Sequence, residues 1–366
     1  MLNKSERMFF IDAAKALGIF LVYYGHIIEK FYRLGSEAAF DQLKFIFSFH
    51  MPLFFIIAGF FYRQRNPSKS IEIRNRIYTR LIPVLFWGIV ALPLLLLYRY
   101  LILGYVDIPV FREKILPYLK GQPELNQITW FLVCLFTVEI ISIFVLPKVK
   151  KTISGLILGL SFLGIGLFLT DDMRQTEILL GVYKNTWYIH EALVAFGLYS
   201  IGFFLFPTIK KFLSSGILTR LILLGLSFGV TLLSFDLNNP HSDFFVLMKD
   251  SWHGDPGFFI LTALSGTLFI LFLATFVPKS KVVDFVGKNT LILLGMNGLF
   301  FNFVNIHIVT KIKNIDDFFV ITGVSGLFSV FSILVSVPII WVLNKYVPQL
   351  VGKPQQEGPL FPRLIK

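Results

Sequence analysis

Residues 81–104 have the sequence LIPVLFWGIVALPLLLLYRYLILG, which holds a single charged side chain, Arg99. A helix needs about 20 mainly apolar residues to cross the hydrocarbon core of a bilayer. Comparable runs recur along the chain and predict ten spans, near 8–29, 43–62, 81–104, 128–146, 153–170, 187–206, 217–235, 257–277, 289–304 and 318–344. The fifth and ninth runs are short, so we expect them to cross with little tilt or to be partly re-entrant.

The composition supports the same class of protein. Of the 366 residues, 55% are hydrophobic and only 15% are charged, which leaves too little polar surface to cover a soluble fold. A disordered chain, a coiled coil and a collagen-like chain are excluded, because 42 phenylalanines bring more apolar surface than those states can tolerate. A β-barrel would alternate apolar and polar residues, and these runs are continuous. The sequence therefore predicts an all-α polytopic membrane protein, and its one cysteine, Cys134, cannot form an internal disulfide.

The net charge of +12 is explained by orientation. With a cytoplasmic N-terminus, the inner segments hold 21 of the 34 Lys and Arg residues and four acids, whereas the outer connections hold ten basic and fourteen acidic residues. The positive-inside rule then places both termini in the cytoplasm. We predict a transmembrane domain over 1–345 and a cytoplasmic tail over 346–366, with the lipid bilayer as the partner and no nucleic acid.

A charged group within the hydrocarbon costs several kcal/mol unless it is paired or hydrated, so such residues are functional candidates. Asp12 and Lys15 lie three residues apart, on one helix face. Lys15 and His26 are eleven apart, which brings them to within about 20° of the same face and about 16 Å apart along the axis. The face could hold an anionic donor at one end and a base at the other. The alternative is that Lys15 anchors the inner headgroups and His26 ends the helix at the outer side.

Four further charged or titratable residues are candidates for a functional role. His50 precedes Pro52, which breaks the helical hydrogen bonding inside the second span. Glu139 lies near the middle of the fourth span and requires a cation or a proton. Arg76 and Arg80 belong to a basic stretch that either anchors the inner surface or holds cytosolic phosphates.

His190 and Glu191 also begin the sixth span, next to an aromatic pair typical of the membrane interface.

The sequence lacks the motifs of several common reaction classes. There is no HExxH sequence, no Cys/His cluster, no Walker loop and no GxGxxG, so we expect no metal, no ATP-driven transport and no dinucleotide redox reaction. Buried charges and a Pro-broken helix suit a secondary transporter or flippase of a glycan or lipid intermediate as well as an enzyme.

Two motifs carry a family resemblance. In the first motif, a basic residue, Lys15, is separated by ten residues from a histidine, His26. The second motif is Phe49-His50-Met51-Pro52-Leu53-Phe54-Phe55, which is followed by Ala58-Gly59. This pattern resembles the acyltransferase-3 family of integral-membrane acyltransferases, and residues 11–19 are most similar to its fucose 4-O-acetylase branch. Two positions differ: Lys15 replaces the commoner Arg, and Asn297 stands where the family often has His.

The resemblance implies transfer of an acyl group, most often acetyl, from cytosolic acyl-CoA to a hydroxyl of a carbohydrate or lipid-linked glycan outside the cell membrane. Lys15, Arg80 and Arg76 would hold the CoA. His26 would be the general base or a transient acyl carrier. His50, with Asp12 or Glu139, would orient the reactants or stabilise developing charge.

Overall fold

The computed structural model describes residues 9–63, 68–105, 108–180, 186–240, 243–312 and 316–365. These residues form helices and no strand beyond one isolated bridge, Leu247 to Trp252. The α-helices are α1 (Phe9–Arg33), α2 (Glu37–Phe47), α3 (His50–Phe60), α4 (Lys69–Arg76), α5 (Ile82–Leu103), α6 (Ile108–Ile115), α7 (Trp130–Val145), α8 (Thr152–Leu180), α9 (Ile189–Leu213), α10 (Ile217–Ser234), α11 (Pro256–Ala274), α12 (Lys281–Lys288), α13 (Thr290–Phe303), α14 (Asn305–Ile312) and α15 (Phe318–Tyr346).

Within these described residues, nine helical segments are long and apolar enough to cross a membrane, with α2–α3 and α4–α5 each counted as one segment. The bent pair of α13 and α14 makes a tenth if it is one span. The two helices meet at an angle of 49°. The prediction of an all-α membrane protein with about ten spans is therefore confirmed. The ninth predicted span, 289–304, falls on α13 and ends at this bend, and its small tilt or partial re-entrance stays a prediction.

The second predicted span consists of two helices. α2 ends at Phe47 and α3 begins at His50, so the chain is not one continuous helix over 43–62. Pro52 has no N–H to donate to the carbonyl of Ser48, the partner it would have in an unbroken helix. Regular bonding resumes where Leu53 N donates to Phe49 O at 3.0 Å. The break sets the backbone direction at His50.

The third predicted span, 81–104, belongs to a longer helical segment. α4 continues through a π-helical turn, Ile77–Leu81, directly into α5. The helical segment from Lys69 to Ile102 is thus continuous. This continuity attaches Arg76 and Arg80 rigidly to a membrane span.

Helix α1 lies at the centre of the bundle. It packs against α2, α3 and the helices from α11 to α15. Small residues on α1 allow these close contacts, since Ala13 and Ala14 are fully buried. We call the end of the bundle that holds Phe9, Arg76 and Tyr346 the tail end, and the end that holds Arg33 the loop end.

The chain after α15 folds back onto the tail end. Gln349 is completely buried, and its side chain donates to the carbonyls of Gln356 and Phe361 at 2.9 and 2.6 Å. Lys353 Nζ donates to Asn289 Oδ1 at 3.0 Å, where α12 meets α13. The segment predicted as a tail is thus packed against the bundle, and its cytoplasmic location stays a prediction.

Glycines allow α3 and α9 to cross closely. A Cβ built on Gly59 would overlap the backbone carbonyl oxygen of Tyr199, and one built on Gly202 would overlap that of Ile56. Backbone atoms cannot turn away as a side chain can, so the two helices must separate if either glycine is enlarged.

We therefore expect Gly59→Ala to lower the free energy of unfolding by about 1–3 kcal/mol. Gly229→Ala is the matched control, because a Cβ at that position in α10 meets open space. It should be neutral or stabilise the helix by up to about 1 kcal/mol. Unfolding titrations in mixed micelles measure both. Equal effects of the two substitutions would contradict the close crossing.

Candidate active site

Two cavities lie along the same face of α1. The cavity nearer the tail end has a volume of about 180 Å³, and its charged lining residues are Lys15 and Arg80. The cavity nearer the loop end has a volume of about 130 Å³ and is lined by His26 and His50. We call them the cation cavity and the histidine cavity. The prediction that one face of α1 carries a cation and an imidazole agrees with this arrangement.

His26 belongs to a chain of side chains on the last turns of α1. Its Nδ1 lies 3.2 Å from Glu29 Oε2, and Arg33 Nε donates to Glu29 Oε1 at 2.8 Å. The spacings i, i+3 and i, i+4 place all three on one face. A carboxylate can only accept, so Nδ1 carries the proton and Nε2 is left as a hydrogen-bond acceptor. Glu29 thus fixes the tautomer that a general base requires.

His50 is oriented by the break between α2 and α3. Its Nδ1 lies 3.0 Å from the carbonyl oxygen of Ile46. The backbone N–H of residue 50 would bond this carbonyl in an unbroken helix, and here the imidazole of the same residue takes its place. A carbonyl accepts only, so Nδ1 donates and His50 Nε2 is also left as an acceptor.

Aromatic rings hold both imidazoles in place. The ring of Phe47 lies 6.2 Å from His26 and 4.6 Å from His50, and Phe301 makes an edge contact with His26 at 4.9 Å. His26 is therefore fixed by rings from α2 and α13 as well as by Glu29 on its own helix. Such packing limits the positions that the imidazole can occupy.

In the cation cavity, Lys15 is held by its own helix and by α12. Lys15 Nζ lies 3.1 Å from Asp12 Oδ1 and donates to the carbonyl of Gly287 at 3.4 Å. A Cβ on Gly287 would overlap the backbone of Asp12, so α12 must lie directly against α1 for this contact to form. Asp12 therefore partners Lys15 at the far end of α1 from the histidines.

Glu139 binds two arginines. Arg80 donates two hydrogen bonds, Nε to Oε2 at 2.9 Å and Nη2 to Oε1 at 2.8 Å, and Arg76 Nη1 donates to Oε1 at 3.2 Å. Glu139 is 4% exposed, and the two guanidinium groups are partly exposed. One carboxylate facing two guanidinium groups leaves an excess positive charge at this site. The structure places Glu139 here and not beside His50.

A third, polar cavity of about 300 Å³ adjoins the cation cavity at the tail end, and Phe61 lines both. Its lining includes Arg63, Arg76, Thr79 and, from the folded-back tail, Gln355. The sequence predicted Arg76 as a ligand for the donor, but it gave no sign that the tail reaches this surface.

The cation and histidine cavities share three lining residues: Val22, Met51 and Leu294. They come from α1, α3 and α13. We call them the waist. All three are almost fully buried. The waist is the common wall between the cationic and the histidine-lined space.

A loop forms part of the histidine cavity, since Val246, Leu247, Met248, Lys249 and Asp250 line it. A buried network anchors this loop. His253 Nε2 lies 3.1 Å from Glu191 Oε2, and its Nδ1 lies 3.3 Å from Thr170 Oγ1. Asn238 donates to the carbonyl of His253 at 2.8 Å. Glu191, a candidate from the sequence, therefore supports the loop, and it does not line either cavity.

A second contact at the loop end joins the start of α2 to the segment before α15. The Ser36 hydroxyl donates to Asp316 Oδ1 at 2.6 Å, and Ala38 N donates to the same oxygen at 3.1 Å. The hydrogen bond from Ser36, and that from Ala38, lower the pKa of Asp316 below its usual value. The contact is thus retained at neutral pH and weakens only as the pH falls through that lowered value.

Sequence reasoning missed Glu29 and Arg33. They follow His26 at helical spacing, and that spacing is the signal that could have identified them. The loop residues of the histidine cavity had no such signal. Of the predicted site residues, the structure brings His26 and His50 to one cavity and Lys15 and Arg80 to the other. Arg76 lines the adjoining polar cavity, whereas Asp12 and Glu139 pair with these cations.

The fold and the site define a multi-pass membrane protein with polar chemistry enclosed between its spans. A family model described as an acyltransferase domain, that of the acyltransferase-3 family, matches residues 8–345, and the chain belongs to this family. It is a membrane acyltransferase. Comparison with curated proteins and with solved structures gave no match.

We expect Glu139→Ala to lower the free energy of unfolding by about 3 kcal/mol or more, because it leaves Arg76 and Arg80 without their shared carboxylate in a buried site. The control is Asp284→Ala, which removes the partner of Lys288 in an exposed pair on α12. That substitution should cost less than about 1 kcal/mol. The comparison again uses unfolding titrations in mixed micelles. If both variants lost a similar amount of unfolding free energy, the buried contacts of Glu139 would stabilise the protein no more than an exposed ion pair does.

Proposed function

We propose that the protein transfers an acyl group, in particular acetyl, from a cytosolic acyl-CoA to a hydroxyl of a cell-envelope or extracellular carbohydrate. The observation that carries the proposal is the shared wall between a cation-lined and a histidine-lined cavity. An anionic donor on one side and a neutral acceptor on the other would then meet at that wall, with two imidazoles beside it.

The donor side suits a phosphorylated nucleotide. Arg63 and Arg76 line the polar cavity, and Arg80 and Lys15 line the cation cavity beyond it. Guanidinium groups favour phosphate because they bind it through two parallel hydrogen bonds. The phosphates would occupy the polar cavity, and the pantetheine arm would extend past Phe61 towards the waist.

The acceptor side suits a sugar. The histidine cavity combines the ring of Trp130 with the polar groups of Gln127, Lys249 and Asp250. An apolar ring surface with a few placed polar groups is the usual composition of a small-molecule site. A carbohydrate presents both an apolar face and several hydroxyls to such a surface.

In the reaction, His26 Nε2 takes the proton of the acceptor hydroxyl as its oxygen attacks the thioester carbonyl carbon. The carbon–sulfur bond breaks once the new carbon–oxygen bond has formed. The CoA thiolate leaves and receives the proton back from the imidazolium of His26. Glu29, held by Arg33, stabilises that imidazolium at Nδ1, and His50 Nε2 accepts a hydrogen bond that orients the sugar.

We expect His26→Gln to reduce acyl transfer at least about a hundredfold, since the general base is lost. The assay supplies radiolabelled acetyl-CoA to inside-out membrane vesicles and measures label in the glycan fraction together with released CoA thiol. His307→Gln is the matched control, because His307 packs against Tyr98 at 5.8 Å on α14 and lines neither cavity. It should keep wild-type activity.

The companion variant Glu29→Gln keeps the shape of the side chain and removes the charge that stabilises the imidazolium. We expect a smaller loss than for His26→Gln, with kcat falling more than KM changes. Undiminished labelling in a stably expressed His26→Gln protein would overturn the catalytic role of His26. Glycan export without release of CoA thiol would identify a transporter instead.

We further propose that the protein lies in the cell membrane with both termini in the cytosol. The distribution of Lys and Arg supports this orientation, and it puts the polar cavity on the side where acyl-CoA is made. The histidine cavity then faces the envelope, where the acceptor is found.

Single cysteines test the orientation, with Gln356→Cys at the tail end and Asn239→Cys at the loop end. Both positions are exposed, whereas the natural Cys134 is buried and should not react. A membrane-impermeant maleimide added to intact cells should label Asn239→Cys only, and Gln356→Cys should react after permeabilisation. The reverse pattern would place the donor cavities outside and contradict the proposed donor.

A further inference from the structure

We propose that the waist, formed by Val22, Met51 and Leu294, selects the acyl group and admits short, uncharged acyl chains. The inference rests on the proposed function, since it concerns the group that would pass from the donor to the acceptor side. It assigns the choice of donor to three apolar side chains rather than to the cations or the histidines.

The position of the waist follows from the helical spacing of α1. Val22 lies seven residues after Lys15 and four before His26, which keeps all three on one face. The waist is therefore about 10 Å along the axis from the cation and about 6 Å from the imidazole. Met51 is the residue directly after His50. A thioester carbon held at the waist would lie next to both imidazoles.

The chemistry of the waist excludes charge. None of its three side chains donates or accepts a strong hydrogen bond. A carboxylate on the acyl chain would lose its water there without gaining a partner, which is strongly unfavourable. The methyl group of an acetyl needs neither water nor a hydrogen-bond partner. The waist thus favours an uncharged acyl group over a dicarboxylic acyl group of similar length.

Two of the three helices that form the waist, α1 and α13, are joined to each other beside it. The Tyr23 hydroxyl donates to the carbonyl of Leu293 at 2.8 Å and joins α13 to α1 beside Val22 and Leu294. A Cβ on Gly295 would overlap the ring of Trp87, so α13 is also pressed against α5. Both contacts oppose an outward movement of α13 from α1 that would admit a longer acyl chain. Met51 is the flexible member, since Met has an unbranched and adaptable side chain.

The test supplies radiolabelled acetyl-, butyryl- and succinyl-CoA to inside-out vesicles of the cell membrane, which contain the full-length protein, and measures label in their glycan fraction. Wild type should use acetyl-CoA and transfer butyryl at least about tenfold less efficiently, the usual effect of added methylenes in a tight site. Leu294→Ala should raise the ratio of butyryl to acetyl transfer about tenfold. Succinyl transfer should stay low in both proteins, because a wider apolar wall still offers the carboxylate no partner.

Leu291→Ala is the matched control, since Leu291 lies one turn away on α13 and lines only the cation cavity. It should leave the ratio of butyryl to acetyl transfer unchanged, whatever its effect on the total rate. Val22→Ala provides a second opening of the waist from α1, and monodisperse gel filtration establishes that each variant is folded.

The outcomes separate the two proposals. If wild type moves no acetyl group from acetyl-CoA, the proposed function fails. If wild type transfers acetyl and neither Leu294→Ala nor Val22→Ala changes the ratio, the acyltransferase stands and the selection by the waist is overturned. Efficient succinyl transfer by wild type would also overturn it.

Discussion

Every charge that enters this bundle has to be paired, and the pairs decide where the helices lie. Asp12 and Lys15 partner each other on α1, and Lys15 also reaches α12 through the carbonyl of Gly287. Glu139 on α7 binds Arg76, the last residue of α4, and Arg80 in the π-helical turn after it. Because an unpaired charge in a low-dielectric interior is so unfavourable, each of these contacts restricts the neighbouring helix to one position. Two of the paired cations, Lys15 and Arg80, also line the cation cavity, so the same side chains join the helices and supply the charge of the cavity.

Much of the fold was predictable because its cause is local. An apolar run such as 81–104 has one low-energy state in a bilayer, and hydropathy alone identifies it. The pair of Lys15 and His26 was predictable for a similar reason, since helical geometry fixes their relative positions once α1 is known to be a helix. Position along the chain was a poorer guide for Glu139, because its partners come from a segment about 60 residues earlier and their meeting depends on tertiary packing.

Other features depend on more than one segment, and the sequence could not specify them. The histidine cavity is completed by a loop that is anchored by the contact between His253 and Glu191, two residues that lie 62 positions apart in the chain. The polar cavity is completed by Gln355, which comes from a segment that composition alone assigns to a polar tail. The break before His50 was predictable in part. Pro52 indicates that the helix is disrupted, but the sequence does not show at which residue the next helix begins.

The π-helical turn over Ile77–Leu81 adds one residue to the helix relative to an α-helical path. Everything after it, including Trp87 against Gly295, is rotated by about 100° compared with an uninterrupted α-helix. A one-residue deletion in this turn would restore ideal hydrogen bonding and still turn the packing face of α5 away from α13. This segment therefore tolerates exchange of side chains far better than a change of length, and relatives should keep its residue count even where its composition drifts.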